Sequence, residues 1–173
     1  NRNDFGFAQN DFIFCCHNNS IKINKDVLDT WTEILLNTEN TVIWLLEDNL
    51  EWKKNIINYF ISKKIDPNRI YFSPRTNNSE YLSRLKVADL FLDTFPCNAH
   101  TTASDCVMME LPILTISGKS FASRVCGSIL NSINLNQLIA FNKDNYISKA
   151  IELSQDKNQY DYIKKIIKSA KKK

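Results

Sequence analysis

Glycine is scarce in this sequence. The 173 residues include only Gly6, Gly118 and Gly127. Neither the G-x-G-x-x-G loop of dinucleotide-binding proteins nor the G-x-x-x-x-G-K-[ST] loop of P-loop NTPases can be built from glycines so far apart. A dehydrogenase-type or helicase-like Rossmann domain is therefore disfavoured. Any nucleotide site in this chain must hold phosphate groups without a glycine-rich loop.

Other absences exclude further classes. No apolar run approaches the length of a membrane span, so we expect no membrane partner. The net charge of +3 comes mostly from the end of the chain, "KKIIKSAKKK", and predicts no nucleic-acid groove. The five cysteines, an odd number without C-x-x-C spacing, indicate reduced thiols in a soluble cytoplasmic protein. The two histidines are not spaced as a zinc pair, so we predict no metal site.

Short apolar runs alternate with longer segments of helical periodicity. The predicted strands are 11–16, 41–47, 69–73, 89–93 and 112–117, followed by a short "LIA" segment. The predicted helices are 25–37, 50–64, 79–88, 101–110, 121–133, 143–154 and 157–170. This order predicts one Rossmann-like domain over residues 1–173, an α/β fold with a parallel sheet and helices on both faces. Residues 143–173 would supply its C-terminal helices.

The stretch "DTFPCNAHTTASD", residues 93–105, crowds polar residues where a strand meets a helix. In open parallel sheets, ligands bind beyond the carboxyl ends of the strands. Residues 18–22, 73–76 and 94–102 follow three predicted strands, and all three segments are polar. We therefore expect the ligand site among them.

Thr101 and Thr102 have two interpretations. Threonines near a helix start are commonly caps. Alternatively, their hydroxyls and the unpaired N–H groups of the first helical turn form a phosphate cradle that needs no glycine. His100 would add a donor, whereas Asp105 would repel a phosphate and suit a ribose hydroxyl or a nearby lysine. The cluster as a whole favours a nucleoside diphosphate.

Lys22 and His17 lie in the loop after the first strand. A lone lysine is usually a solvated surface residue, but beside a phosphate site Lys22 would be the counter-charge. His17 has the chemistry of a catalytic base, although a lone histidine after a strand is more often packed or hydrogen-bonded.

Three segments, "FCCHNNSIKI", "ADLFLDTFPCNAHTTASD" and "LPILTISGKSFASRV", carry a family resemblance. In this order they resemble the C-terminal catalytic half of the O-linked N-acetylglucosamine transferase family, including its bacterial tetratricopeptide-repeat members. The resemblance spans roughly residues 4 to 165. It implies the C-terminal half of a GT-B glycosyltransferase, in which two Rossmann-like domains face each other and this one binds UDP-N-acetylglucosamine. It also implies inverting transfer to Ser or Thr of proteins, with no metal cofactor required.

The resemblance assigns one group of residues to the diphosphate. Lys22 matches the lysine that contacts the diphosphate and would stabilise the leaving group, which is the catalytic role expected in this chain. Asn19 occupies a nearby position that is usually a polar amide. His100, Thr101 and Thr102 match the diphosphate-binding His-Thr-Thr.

A second group is assigned to the nucleoside. Asp105 matches an aspartate that contacts the ribose. Arg75 and Thr76 match a loop whose backbone reads uracil. Arg84 completes the expected nucleotide-binding set.

The sequence departs from the family pattern at four positions. Tyr81 replaces a usual histidine, Asn78 replaces a ribose-contacting lysine of some members, Glu110 replaces a common glycine, and His17 replaces a frequent phenylalanine. The resemblance therefore supports recognition of the diphosphate more strongly than recognition of the base and ribose.

The family's other catalytic half, with its acceptor-side histidine, and its repeat domain for protein acceptors have no counterpart among these residues. We expect this chain alone to bind nucleotide and to transfer little sugar. The alternatives are a GDP-fucose protein O-fucosyltransferase, a protein N-glycosyltransferase, and a non-catalytic scaffold that binds sugar nucleotides.

Overall fold

The strands of the chain form one parallel sheet. The computed structural model describes residues 2–170, so residue 1 and residues 171–173, the end of the predicted C-terminal helices, lie outside the described residues. The strands are β1 (Phe12–Cys16), β2 (Thr41–Leu46), β3 (Ile70–Ser73), β4 (Leu90–Leu92), β5 (Ile113–Ile116) and β6 (Ile139–Ala140). They pair in the order β3-β2-β1-β4-β5-β6, and every neighbouring pair is parallel. The "LIA" segment thus contributes the edge strand β6.

The order of the strands reverses in the middle of the sheet. From β1 the chain proceeds outward to β2 and β3, and from β4 it proceeds the opposite way to β5 and β6. Right-handed crossovers in opposite directions place helices on both faces of a sheet. The central strands are buried accordingly, with all of β4 and four of the five residues of β1 inaccessible to solvent. The predicted Rossmann-like fold is confirmed.

Within the described residues, seven α-helices connect and cover the strands. They are α1 (Lys25–Leu36), α2 (Leu50–Ser62), α3 (Asn78–Leu85), α4 (Thr101–Met108), α5 (Val125–Ser132), α6 (Lys143–Gln155) and α7 (Lys157–Ala170). Four of them begin after an asparagine whose side chain accepts the backbone N–H three residues on. These caps are Asn24, Asn49, Asn77 and Asn142. Each satisfies an N–H group that has no partner within its helix, which fixes where the helix starts.

Five predicted helices run past their observed ends. Two of them, predicted to reach residues 37 and 88, end at Leu36 and Leu85, and the other three end where the chain terminates a helix without glycine. Lys64, Glu110 and Asn134 adopt positive φ angles of 66°, 60° and 59°. Glycine usually takes this left-handed position after a helix. The prediction that helices continue to residues 64, 110 and 133 was therefore wrong by one or two residues.

The predicted helix 121–133 is also interrupted. Its first part is a 3-10 turn, Phe121–Ser123, and α5 begins only at Val125. The carbonyl of Ala122 accepts the N–H of Asn98 at 2.9 Å, and that of Ser123 accepts the N–H of Gly118 at 2.8 Å. Both carbonyls thus bond to loops at the sheet edge instead of continuing a helix, which explains the break.

The last helix packs at the edge of the sheet where the strands begin. Tyr160 donates its hydroxyl hydrogen to the carbonyl of Asp89, just before β4, at 2.9 Å. Its ring packs edge-on against Phe12 at the start of β1. The polar loops lie at the opposite edge of the sheet, where the strands end. None of the helices within residues 2–170 has the length and hydrophobicity of a membrane-spanning segment.

Candidate nucleotide-binding site

The loops after β1 and β4 meet where the strand order reverses. These strands are neighbours, and their chains leave the sheet in opposite directions. A crevice at such a switch point is the usual ligand site of an open α/β sheet. Here it is bounded by residues 17–24 after β1 and residues 93–100 after β4.

A buried carboxylate organises these loops. Asp93 is 0% exposed, and its Oδ1 accepts the backbone N–H groups of Thr94 (2.8 Å) and Ala99 (2.7 Å) and the amide of Asn18 (3.1 Å). Its Oδ2 accepts the hydroxyl of Thr115 on β5 at 2.7 Å. Burial raises the pKa of this carboxyl, while the hydrogen bonds act in the opposite direction. The carboxylate thereby ties β1, β4 and β5 to the loop that leads into α4.

Asn98 connects this ordered loop to Lys22 through hydrogen bonds. Its buried side chain donates to the carbonyls of Thr94 (3.0 Å) and Ile116 (3.3 Å). Its own carbonyl accepts a hydrogen bond from Lys22 Nζ at 2.7 Å. Lys22 is partly exposed and has three N–H donors, so the bond to Asn98 leaves capacity for a ligand. The ammonium group of Lys22 is thus held against the loop before α4, at a residue two positions before His100.

The start of α4 differs from the capped helices. His100 is its N-cap residue, and its side chain makes no capping hydrogen bond. Ala103 and Ser104 donate their N–H groups back to the carbonyl of His100, at 3.0 and 3.3 Å. The capping alternative for Thr101 and Thr102 is therefore not what the structure shows. The first N–H groups of this helix carry the positive end of its dipole and are oriented for an anion.

A cleft of about 320 Å³ lies beside the start of α4. Six of the predicted residues line it: Arg75, Thr76, Arg84, Thr101, Thr102 and Asp105. His17, Leu46 and Tyr81 complete its walls. Asn19, Lys22 and His100 do not line it, so the structure divides the predicted residues into a cleft group and a group at the switch point.

Arg84 anchors the wall of the cleft that follows β3. Arg84 is 6% exposed; its Nη1 donates to the carbonyl of Pro74 at 2.6 Å and its Nη2 to Glu80 Oε1 at 2.7 Å. Glu80 also accepts the hydroxyl of Thr76. The hydrogen bond from Thr76, followed by that from Arg84, lowers the pKa of Glu80. These contacts fix the segment of Arg75 and Thr76 against α3.

Asn19 and His100 have contacts of their own at the switch point. Asn19 is exposed, and its Oδ1 accepts the N–H of Ile21 at 3.1 Å, which caps the 3-10 turn Ser20–Lys22. The ring of His100 packs edge-on against Phe121, with 5.9 Å between centroids. Asn19 therefore shapes the turn that carries Lys22, and the interrupted 121–133 segment reaches the site through Phe121.

The ring of His17 is packed against an aromatic side chain and is not placed as a catalytic base. His17 is 6% exposed and packs edge-on against Trp44, with 4.9 Å between ring centroids. Burial, and secondarily the charge of Arg84, lowers the pKa of His17 to about 3. The imidazole is thus neutral near pH 7 and is poorly suited to act there as a proton acceptor.

Reasoning from the sequence did not identify Asp93, Asn98 or Asn18 as organisers of the site. The available signal was an aspartate directly after a buried strand, inside the stretch already singled out. A buried acid of that kind requires several donors, and these come from distant parts of the chain.

A larger cleft, of about 520 Å³, lies between the end of α5 and α7. It is lined partly by Ile133, Tyr162 and Ile166 and includes none of the predicted nucleotide-binding residues. Its volume alone does not make it a candidate. Among residues 2–170, no group of three or more His, Cys, Asp or Glu side chains is arranged to hold a metal ion.

Comparison with known proteins identifies relatives that match most of this chain. A UDP-N-acetylglucosamine–peptide N-acetylglucosaminyltransferase of Caenorhabditis elegans is 35% identical over 144 residues, covering 83% of this chain. A probable enzyme of the same name, SEC of Arabidopsis thaliana, is 29% identical over 171 residues, covering 98% of this chain. The chain spans 12% and 18% of the lengths of these two relatives.

The fold has a close structural match. A mutant of the Thermobaculum terrenum O-GlcNAc transferase superposes with a TM-score of 0.91 at 22% identity, covering 96% of this chain and 33% of that one. The match supports the GT-B interpretation of the fold. The model of glycosyl transferase family 41 matches residues 1–173, and the chain belongs to that family.

Proposed function

We propose that this chain is the donor-binding half of a glycosyltransferase that transfers N-acetylglucosamine from UDP-N-acetylglucosamine to Ser or Thr of proteins. The observation that carries the proposal is the joining of Lys22 to the loop before α4 at the switch point, beside a cleft of about 320 Å³. The names of the relatives support the donor and a peptide acceptor.

The division of the site suits a nucleoside diphosphate. The diphosphate would lie between Lys22 and the start of α4, where a side-chain cation and backbone N–H groups converge. The nucleoside would occupy the adjoining cleft, with Asp105 near the ribose and the segment of Arg75 and Thr76 near the base.

The same groups would also assist the transfer of the sugar. As the bond from the sugar to UDP breaks, negative charge develops on the diphosphate. Lys22 and the N–H groups at the start of α4 would stabilise that charge in the transition state. Because these protein donors supply the positive charge, the proposal includes no metal cofactor.

The acceptor and the group that deprotonates it would come from outside this chain. The protein acceptor is thus a partner of the complete enzyme, and the chain alone would bind donor with little transfer. All five cysteines are free thiols, four of them buried, which supports a reducing compartment such as the cytoplasm.

Calorimetric titration of the chain with UDP, and separately with GDP, tests the proposal. We expect measurable binding with a clear preference for UDP. A preference for GDP would instead favour a GDP-fucose-dependent transferase. Absence of binding to either nucleotide would contradict the proposal that this chain carries the donor site.

A further inference from the structure

Two neighbouring side chains at the cleft retain unused hydrogen-bonding groups. His17 and Arg84 both line it, and each is 6% exposed. Within residues 2–170, neither ring nitrogen of His17 has a hydrogen-bond partner, and neither does Nε of Arg84. The two groups are close enough for the charge of Arg84 to act on the imidazole.

Such groups are uncommon in folded proteins. Most buried polar atoms are paired, and leaving one unpaired destabilises the folded chain. The other contacts of His17 are with rings, Trp44 at 4.9 Å and Tyr81 at 6.3 Å between centroids, and a phenylalanine would satisfy them equally well. Packing therefore does not explain why a histidine stands here.

The chemistry of the pair limits what it can recognise. The guanidinium of Arg84 only donates hydrogen bonds. Neutral His17 offers one donor and one acceptor. Together they complement an edge on which a carbonyl oxygen lies next to a ring N–H. Uracil has such an edge, whereas cytosine, a base of the same size, presents an amino group and an unprotonated ring nitrogen there.

We propose that His17, beside Arg84, binds the oxo and N–H edge of the donor's uracil and so determines base specificity in this chain. This inference rests on the proposed function, since it assigns a residue to the base of the same donor.

His17→Phe tests the assignment because it keeps a ring and removes both nitrogens. We expect the variant to bind UDP about 5- to 10-fold more weakly, as for one lost hydrogen bond. Its preference for UDP over CDP should narrow, its affinity for pyrophosphate should not change, and His17→Gln should recover part of the UDP affinity. A folded His17→Phe variant with the UDP affinity and UDP preference of the wild type would overturn the inference.

Nuclear magnetic resonance of the wild-type chain tests the inference without relying on a substitution of His17. The sequence has two histidines, so ¹⁵N-labelled imidazoles give two sets of ring signals, assigned with His100→Gln. UDP should shift both sets, and pyrophosphate should shift His100 only. If UDP shifts His100 but not His17, the inference fails and the proposed function stands. If UDP shifts neither and no binding heat is seen, the proposed function fails, and this inference fails with it.

Discussion

Lys22 Nζ donates a hydrogen bond to the backbone carbonyl of Asn98, 2.7 Å away. The bond joins the loop after β1 to the loop after β4, across the point where the strand order reverses. Because Asn98 is buried and bonded to Thr94 and Ile116, the cation is held on an ordered loop instead of moving freely in solvent. A cation positioned before a ligand binds needs less ordering when it binds.

The first prediction concerns this cation and the start of α4. Lys22→Ala combined with Thr101→Ala should weaken UDP binding by about 2–4 kcal/mol, because both would make hydrogen bonds to a charged diphosphate. Isothermal titration calorimetry measures the change. Lys54→Ala, which removes an exposed lysine on α2, is the control and should leave the affinity unchanged. Unchanged UDP affinity in a folded double variant would contradict the placement of the diphosphate.

A substitution of Asp105 should change the affinity for UDP, which contains a ribose, differently from the affinity for pyrophosphate, which does not. Asp105→Asn removes a charge at the cleft and weakens a hydrogen bond to a ribose hydroxyl, so UDP should bind about fivefold more weakly. Pyrophosphate should bind equally or more tightly, since a repelling charge is gone. Parallel titrations with the two ligands measure both effects. A loss of affinity for pyrophosphate as large as the loss for UDP would show that Asp105 acts on the site as a whole.

The sequence predicted the sheet, because each buried strand is a short apolar run between helical segments. The sequence also pointed to loops that the structure brings together, since polar residues after parallel strands share one edge of the sheet. The sequence could not predict the organising role of Asp93, because the donors to Asp93 include Asn18 and Thr115, which lie 75 and 22 residues away in the chain. The break in the predicted helix 121–133 likewise depends on a tertiary hydrogen bond, from Asn98 to Ala122.

Asp93 should be essential for the stability of this arrangement. Asp93→Ala leaves two backbone N–H groups and the side chains of Asn18 and Thr115 without their acceptor in a buried place. We expect the free energy of unfolding to fall by about 3–5 kcal/mol, measured by urea denaturation. Asp161→Ala, at an exposed position on α7, should change it by less than about 0.5 kcal/mol. Equal effects of the two substitutions would contradict the role given to Asp93.

The scarcity of glycine at helix ends predicts a stabilising substitution. Lys64 follows α2 with a φ of 66°, which costs a residue with a side chain about 1–2 kcal/mol. Lys64→Gly should therefore raise the free energy of unfolding by about 1 kcal/mol. Lys54→Gly, the same change inside α2, should lower it by about 1 kcal/mol. Thermal denaturation of both variants checks the opposite signs, and two changes of the same sign would contradict the explanation.

The neutral imidazole of His17 should make stability depend on pH. Its pKa is about 3 in the folded chain, against an ordinary value of 6.5, because of burial and the charge of Arg84. Between these values the unfolded chain binds the extra proton, so the contribution of His17 to stability is fully present above pH 6.5 and is lost as the pH falls towards 3. From pH 7 to pH 5 the loss should be about 2 kcal/mol. Urea denaturation of the wild type and of His17→Phe over this range isolates the effect, since other groups titrate equally in both. The variant should lose about 2 kcal/mol less than the wild type, and parallel pH profiles would show that His17 is already protonated, or exposed, in the folded chain.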